Sequence, residues 1–192
     1  MKKVLSVFLA VIMLVSVLTV GFSASAEDEE TYVARMWICS TNISSYDPFG
    51  HEFLYFENLT DETIKVGRYM LPPGEGVTVG SFGFTSPDGF GVYYNLEGCR
   101  EKHKDLLAAG VELTKDEFSK VSDKIASFNW WDPLLNCVFF AFIMWNQGPG
   151  KTLVPCWLPI FARWQISSIG GKEGAVNIFR QPDEHVYRQN DL

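Results

Sequence analysis

The segment that most constrains the fold is residues 134–145, because these twelve residues include no charged side chain. A helix that spans a membrane needs about 20 apolar residues, so this segment is too short to cross a bilayer. Residues 136–146 predict a helix with apolar side chains on every side, and such a helix must be covered all round. The chain must therefore pack other elements around one buried helix.

The residues that precede this helix predict an antiparallel sheet. Residues 58–62 have the composition of a hairpin turn, with strands on either side of it. The predicted strands cover residues 32–39, 52–57, 64–71, 77–79 and 90–94.

Three further helices are predicted around the buried one. Asn95 is expected to cap a helix that runs to about residue 109, with Gly110 as its stop. The capping box Thr114-Lys115-Asp116-Glu117 opens the next helix, and residues 157–168 form another. A β-like segment follows at residues 175–179. The predicted fold class is α+β, an antiparallel sheet packed against helices.

The first 26 residues predict a signal peptide. Lys2 and Lys3 are followed by the apolar residues 4–20 and by the small-residue cleavage site Ala24-Ser25-Ala26. Residues 27–192 then form a single secreted domain, which the short basic leader suggests is bacterial and extracellular or at the cell surface. The alternative is an uncleaved anchor, since seventeen apolar residues just reach the lower limit for a membrane span. If the signal peptide is cleaved, we expect no stable membrane span in the mature protein.

The charge balance argues against a nucleic-acid partner. The whole chain has a net charge of -7, and loss of Lys2 and Lys3 leaves 14 basic against 23 acidic side chains, a net charge of -9. Nucleic-acid binding requires a basic face.

Cys137 is the candidate nucleophile. Asn136 is a good N-cap, which places Cys137 in the first turn of the buried helix, where unpaired amides favour a thiolate. The alternative is a structural cysteine, buried or bridged to Cys156. The four cysteines, Cys39, Cys99, Cys137 and Cys156, allow three pairings if all are bridged.

A nucleophilic thiol needs a base, and the chain has three histidines. His51 follows Gly50 at the start of a strand, where its side chain is held rigidly, as a general base must be. His103 lies in a predicted amphipathic helix, and His185 lies in the polar tail. His51 is therefore the candidate base, with a turn or capping histidine as the alternative.

Two motifs resemble those of a known family. Gly50-His51-Glu52-Phe53-Leu54-Tyr55-Phe56, followed later by Asn136-Cys137 at the head of a helix, is similar to the permuted papain-like cysteine hydrolases. That group includes NlpC-type cell-wall peptidases and lecithin retinol acyltransferase-like enzymes. In this permuted branch the histidine precedes the cysteine, as here. The resemblance implies a circularly permuted papain-like fold with a buried central helix that begins at the cysteine.

The resemblance also implies roles for residues. Cys137 would attack the substrate, His51 would be the base, and a polar group on the strand after His51 would orient the imidazole. Pairing the hairpin about residues 60–61 sets His51 near Tyr69, which is the candidate orienter; its alternative is a cross-strand packing aromatic. Val138 and Phe139 depart from the small polar residues expected after the cysteine, which points to a degenerate or narrow site.

The leading functional expectation is a secreted cysteine hydrolase that cleaves an amide or isopeptide bond through a Cys137 acyl-enzyme. Its substrate would be a peptide, such as a cell-wall peptide. A lipid-directed acyltransferase would use the same chemistry, and a non-enzymatic secreted binding module would keep the fold with Cys137 inert. No metal and no organic cofactor are expected, because no Cys/His set has the spacing of a zinc site.

Overall fold

An antiparallel sheet packed against helices forms the architecture of the computed structural model, which confirms the predicted α+β class. The structure describes residues 31–42, 50–83, 86–99, 105–128, 131–178 and 181–192. The predicted signal peptide, residues 1–26, and His103 lie outside the described residues. The elements are β1 (Tyr32–Ser40), β2 (Glu52–Asn58), β3 (Ile64–Val66), β4 (Tyr69–Leu71), β5 (Gly76–Phe82), β6 (Gly91–Tyr94), α1 (Leu96–Cys99), β7 (Leu107–Thr114), α2 (Lys115–Ser127), α3 (Cys137–Trp145), α4 (Pro159–Ser168), β8 (Lys172–Glu173) and β9 (Tyr187–Arg188).

Within the described residues, seven strands form one sheet in the order β8-β7-β1-β2-β5-β6-β9, and β3 pairs with β4 separately. Side chains alternate between the two faces of each strand. Leu54 and Phe56 of β2 face a large core that includes α2 and α3, whereas Phe53 and Tyr55 face a smaller cluster with Cys39. Neighbouring residues of β2 therefore belong to different cores.

Helix α3 packs in the large core, and its bounds agree with the prediction. Its hydrogen-bonded turns begin at Asn136, whose side-chain oxygen accepts a hydrogen bond from the backbone N–H of Val138. The predicted capping box at Thr114 is also present at the start of α2. The buried residues of α3 are Cys137, Val138, Phe140, Ala141, Phe142, Met144 and Trp145.

The predicted helix from Asn95 to about residue 109 is wrong. Helix α1 has four residues, and Leu107–Thr114 is the strand β7, which pairs with β1. Trp37 of β1 lies opposite Gly110, and a Cβ at Gly110 would come within 2.6 Å of the Trp37 ring. The close approach of a distant aromatic ring therefore explains the glycine that the sequence suggested as a helix stop.

The predicted strand 64–71 is also wrong, because it is split into β3 and β4. Gly67 has a φ of 60°, in the left-handed region, and a Cβ there would collide with the hydroxyl of Tyr94 and with Ile125. The chain turns at this glycine, and β2 pairs with β1 and β5 instead of with residues 64–71. Residues 175–178 are not a strand either; the short strand β8 precedes them.

The segment that contains β9 reaches back into the large core through Gln189, which is buried. The Tyr94 hydroxyl donates a hydrogen bond to Gln189 Oε1 at 2.6 Å, and Gln189 Nε2 donates to the carbonyl of Ile125 at 3.1 Å. A buried amide with partners on both of its atoms holds β6, α2 and the β9 segment together.

Candidate functional site

Cys137 lies at the first position of α3, as the sequence predicts, and its side chain is 9% exposed. The side chain of the cap residue Asn136 makes three bonds: it accepts from Val138 N at 3.0 Å, and its Nδ2 donates to the carbonyls of Trp157 at 2.9 Å and of Pro133 at 3.4 Å. The first turn of α3 is thus fixed against the segment that leads into α4.

A buried carboxylate of β2 lies close to the Cys137 sulfur. Glu52 Oε2 lies 4.0 Å from Cys137 Sγ, and Glu52 Oε1 accepts a hydrogen bond from Ser40 Oγ at 2.9 Å. While Glu52 is ionised, its charge opposes a thiolate beside it by about 4 kcal/mol at an effective dielectric constant of about 20. The helix N-terminus favours a thiolate by at most about 2 kcal/mol. In that ionised state the carboxylate outweighs the helix, and the arrangement favours a neutral thiol.

His51 lies on the other face of the sheet. Its Nε2 is 3.7 Å from Glu97 Oε1, and both side chains are buried. The imidazole stacks near Phe53, with ring centroids 6.1 Å apart, and lies 4.4 Å from the ring of Phe82. Because Phe53 belongs to the small cluster and Glu52 faces α3, the structure brings His51 to Glu97 and does not bring it to Cys137.

The face of His51 contains another cysteine, Cys39 of β1. Burial raises the pKa of the Cys39 thiol well above its usual value, and the charge of Glu97 acts in the same direction. Cys39, His51 and Glu97 are the residue types of a cysteine triad, yet Cys39 has no exposed surface on which a substrate could meet it.

Tyr69 lies apart from His51 because β4 does not pair with β2. Its ring stacks on Tyr94, with centroids 5.5 Å apart, and lies 5.7 Å from the ring of Tyr187. Burial raises the pKa of Tyr69. The hairpin register that set Tyr69 near His51 is wrong, and the structure places Tyr69 in an aromatic group with β6 and β9.

The other cysteines and His185 have their own surroundings. Cys156 Sγ accepts a hydrogen bond from Gln165 Nε2 at 3.6 Å, and burial, with the charge of Glu52, raises its pKa. Cys99 Sγ donates to the carbonyl of Pro182 at 3.3 Å. His185 is exposed. Within the ranges that the structure describes, no three His, Cys, Asp or Glu side chains are grouped as a metal site would require.

The sequence prediction missed two carboxylates, Glu52 and Glu97. Glu52 had a detectable signal, because strand alternation puts residue 52 on the same face as Leu54 and Phe56 and opposite to His51. Glu97 had none, since its approach to His51 depends on β5 and β6 returning alongside β2.

Comparison with protein-family models, curated proteins and solved structures finds no match to this chain. In the part of the chain that the structure describes, none of the helices combines the length and the apolar character needed to cross a membrane.

An apolar surface lies next to Cys137, on α4 and the segments beside it. Trp157 is 55% exposed and Trp164 is 71% exposed. Asn136 ties the backbone of Trp157 to the first turn of α3, and Gln165 bonds to both backbone groups of Val154. We call this surface the α4 face; its exposed residues are Leu134, Val154, Trp157, Ile160, Phe161 and Trp164.

Proposed function

We propose that this chain is a secreted interaction module with a permuted papain-like fold, in which Cys137 is a structural cysteine and not a nucleophile. The observation that carries the proposal is that Glu52, and not His51, faces the Cys137 sulfur, at 4.0 Å. An ionised carboxylate at that distance disfavours the thiolate that a cysteine hydrolase requires.

Two features support the fold proposal. His51 precedes Cys137 in the chain, and the helix that begins at Cys137 packs against β1, β2 and β5 of an antiparallel sheet. Val138, which follows the cysteine, is completely buried in the large core. An apolar residue at that position fits a member of the family that has kept the helix for packing and has lost the catalytic dyad.

The α4 face supports an interaction role. Scattered exposed apolar residues are normal on any protein, but a contiguous apolar patch marks a surface that another molecule covers. The α4 face joins side chains from α4 and from two neighbouring segments, and hydrogen bonds from Asn136 and Gln165 hold those segments in place. We infer that binding takes place at this face.

Alkylation of Cys137 tests whether it is a nucleophile. The purified protein is treated with iodoacetamide at pH 6, and labelling of each cysteine is followed by peptide mass spectrometry. We expect slow labelling of Cys137 at the same rate in wild type and in His51→Ala. Rapid labelling of wild type that is lost in His51→Ala would contradict the proposal.

The variant Glu52→Gln gives the sharpest result, because it removes the charge beside the sulfur and keeps the shape of the side chain. We expect Cys137 to be labelled at least tenfold faster in Glu52→Gln than in wild type. The matched control is Glu97→Gln, a buried carboxylate on the opposite face, which should leave the rate unchanged. Cys39 reports folding in every variant, since this fully buried thiol is labelled only when the fold opens.

A second candidate function is an amide hydrolase that uses Glu52 as its base, favoured by the 4.0 Å approach of Glu52 to a sulfur at a helix N-terminus. Glu52 would take the thiol proton, the sulfur would attack the carbonyl carbon of a peptide, and the first-turn amides of α3 would hold the oxyanion. Glu52 would then protonate the leaving amine, and water would hydrolyse the thioester. This function predicts slower labelling and no peptide cleavage in Glu52→Gln, the opposite of the first proposal.

A further inference from the structure

The side chains of the α4 face together expose a large apolar area. With exposed fractions of 55% and 71% for its two tryptophans, and similar values for its other four side chains, it covers about 700 Å². The largest apolar patch on a typical monomer is about 300–600 Å². An area of this size in water indicates a face that is covered when the protein is in its working state.

The face is built on a regular helical stripe. Ile160, Phe161 and Trp164 follow the spacing of one side of α4, and Ala162 and Ile166 are buried on its opposite side. Trp157 precedes the helix. Gln165 bonds to the segment at Val154, so the borders of the stripe are fixed before any partner arrives. A preorganised stripe on one helix fits the surface of another helix, which packs by its own ridges and grooves.

The charges on α4 do not favour an anionic surface as the partner of the face. Arg163 is the one charged residue in the sequence of α4, and it is directed to Glu173 at 2.6 Å and to the carbonyl of Ser40 at 3.0 Å. Helices that lie on membranes carry Lys and Arg beside their apolar face to meet anionic lipids. Within the described helix α4, no Lys or Arg other than Arg163 borders the face, and the chain as a whole is acidic, with a net charge of -7.

We propose that the occupant of the α4 face is a second copy of this chain, so that the module is a homodimer with α4 packed antiparallel to its symmetry mate. This inference rests on the proposed interaction role of the face. A twofold axis places the uncharged patch of one copy against the same patch of the other copy. The contact itself therefore does not bring like charges together, although both chains are acidic. The contact would bury about 1,400 Å² in total, within the range of stable specific interfaces.

Sedimentation velocity from nanomolar to tens of micromolar protein tests the dimer. We expect wild type to be dimeric at micromolar concentration, and Trp164→Glu to raise the dissociation constant at least a hundredfold. Met70→Glu is the matched control, because Met70 is 57% exposed on β4, outside the α4 face, and its replacement should leave the dimer intact. Tryptophan emission should shift to shorter wavelength as wild type dimerises, and the shift should be absent in Trp164→Glu.

Wild type that remains monomeric throughout this range would overturn the proposal, as would a dimer that Trp164→Glu leaves intact. Monomeric wild type that instead binds phosphatidylcholine vesicles would make a bilayer the occupant and would also overturn it. The labelling of Cys137 is a separate measurement. If wild type is monomeric and Cys137 is labelled slowly, only the dimer is refuted. If wild type is dimeric and Cys137 is labelled rapidly in a way that depends on His51, only the non-catalytic role of Cys137 is refuted.

Discussion

At the scale of single residues, the pleat of β2 separates two neighbours that the sequence places together. His51 and Glu52 are adjacent in the chain, yet one contacts Glu97 and the other approaches Cys137. Each face of the sheet thus contains a buried carboxylate and a cysteine. The identities of Cys137 and His51 as notable residues came from the sequence, but their partners depend on which face each side chain takes.

The buried pair of His51 and Glu97 predicts strong energetic coupling. Removal of one partner leaves the other group buried without the interaction that compensates for its burial. This loss lowers the free energy of unfolding by about 3 kcal/mol or more. We therefore expect Glu97→Leu and His51→Leu each to lower the free energy of unfolding by about that amount, and the double variant to lose much less than the sum. Urea unfolding of the four proteins measures the coupling; additive losses would show that the pair does not act as a unit.

At the scale of elements, local signals were sufficient where an element is defined by its own residues. The capping box from Thr114 to Glu117 and the cap at Asn136 each predicted the start of a helix that the structure contains. Residues 107–109 form an apolar run that suits a helix or a strand equally. These residues form a strand because they pair with β1 and because the ring of Trp37 lies over Gly110. Both contacts are made with residues distant in the chain, so the local sequence does not reveal them.

Two substitutions at the N-cap of α3 are expected to lower the free energy of unfolding by different amounts. Asn136→Ala removes both the cap oxygen and the bond to Trp157, and should lower the free energy of unfolding by about 2 kcal/mol. Asn136→Ser keeps a cap oxygen and loses the bonds from the amide to the carbonyls of Trp157 and Pro133, so its loss should be about half as large. Denaturant titrations distinguish the two; an equal loss in both variants would mean that the cap itself contributes nothing.

At the scale of the whole molecule, buried tyrosines make the free energy of unfolding depend on pH. Burial raises the pKa of Tyr55 and of Tyr94 to about 12, from an ordinary value of 10.0. Between pH 10 and 12 the unfolded chain releases these protons while the folded chain retains them. Rising pH in this window therefore favours the unfolded state, and the stabilisation is complete only below about pH 10.

We expect the free energy of unfolding to fall steadily from pH 10 to pH 12. Tyr94→Phe should be less stable than wild type at pH 8, because it loses the bond to Gln189, but its decline above pH 10 should be shallower. Urea titrations at pH 8, 10 and 11.5 measure both effects. A variant whose decline parallels that of wild type would show that Tyr94 does not titrate in this window.

The position of Gln189 has a consequence for the order of synthesis. A chain made from its N-terminus exposes β6 and α2 long before residue 189 leaves the ribosome, so the bonds from Gln189 to Tyr94 and Ile125 form last. Until then the outer strand β9 is missing from the edge at β6. The β6 edge of the sheet therefore reaches its full width only once residues 187–189 are available, after α2, α3 and α4 have been made.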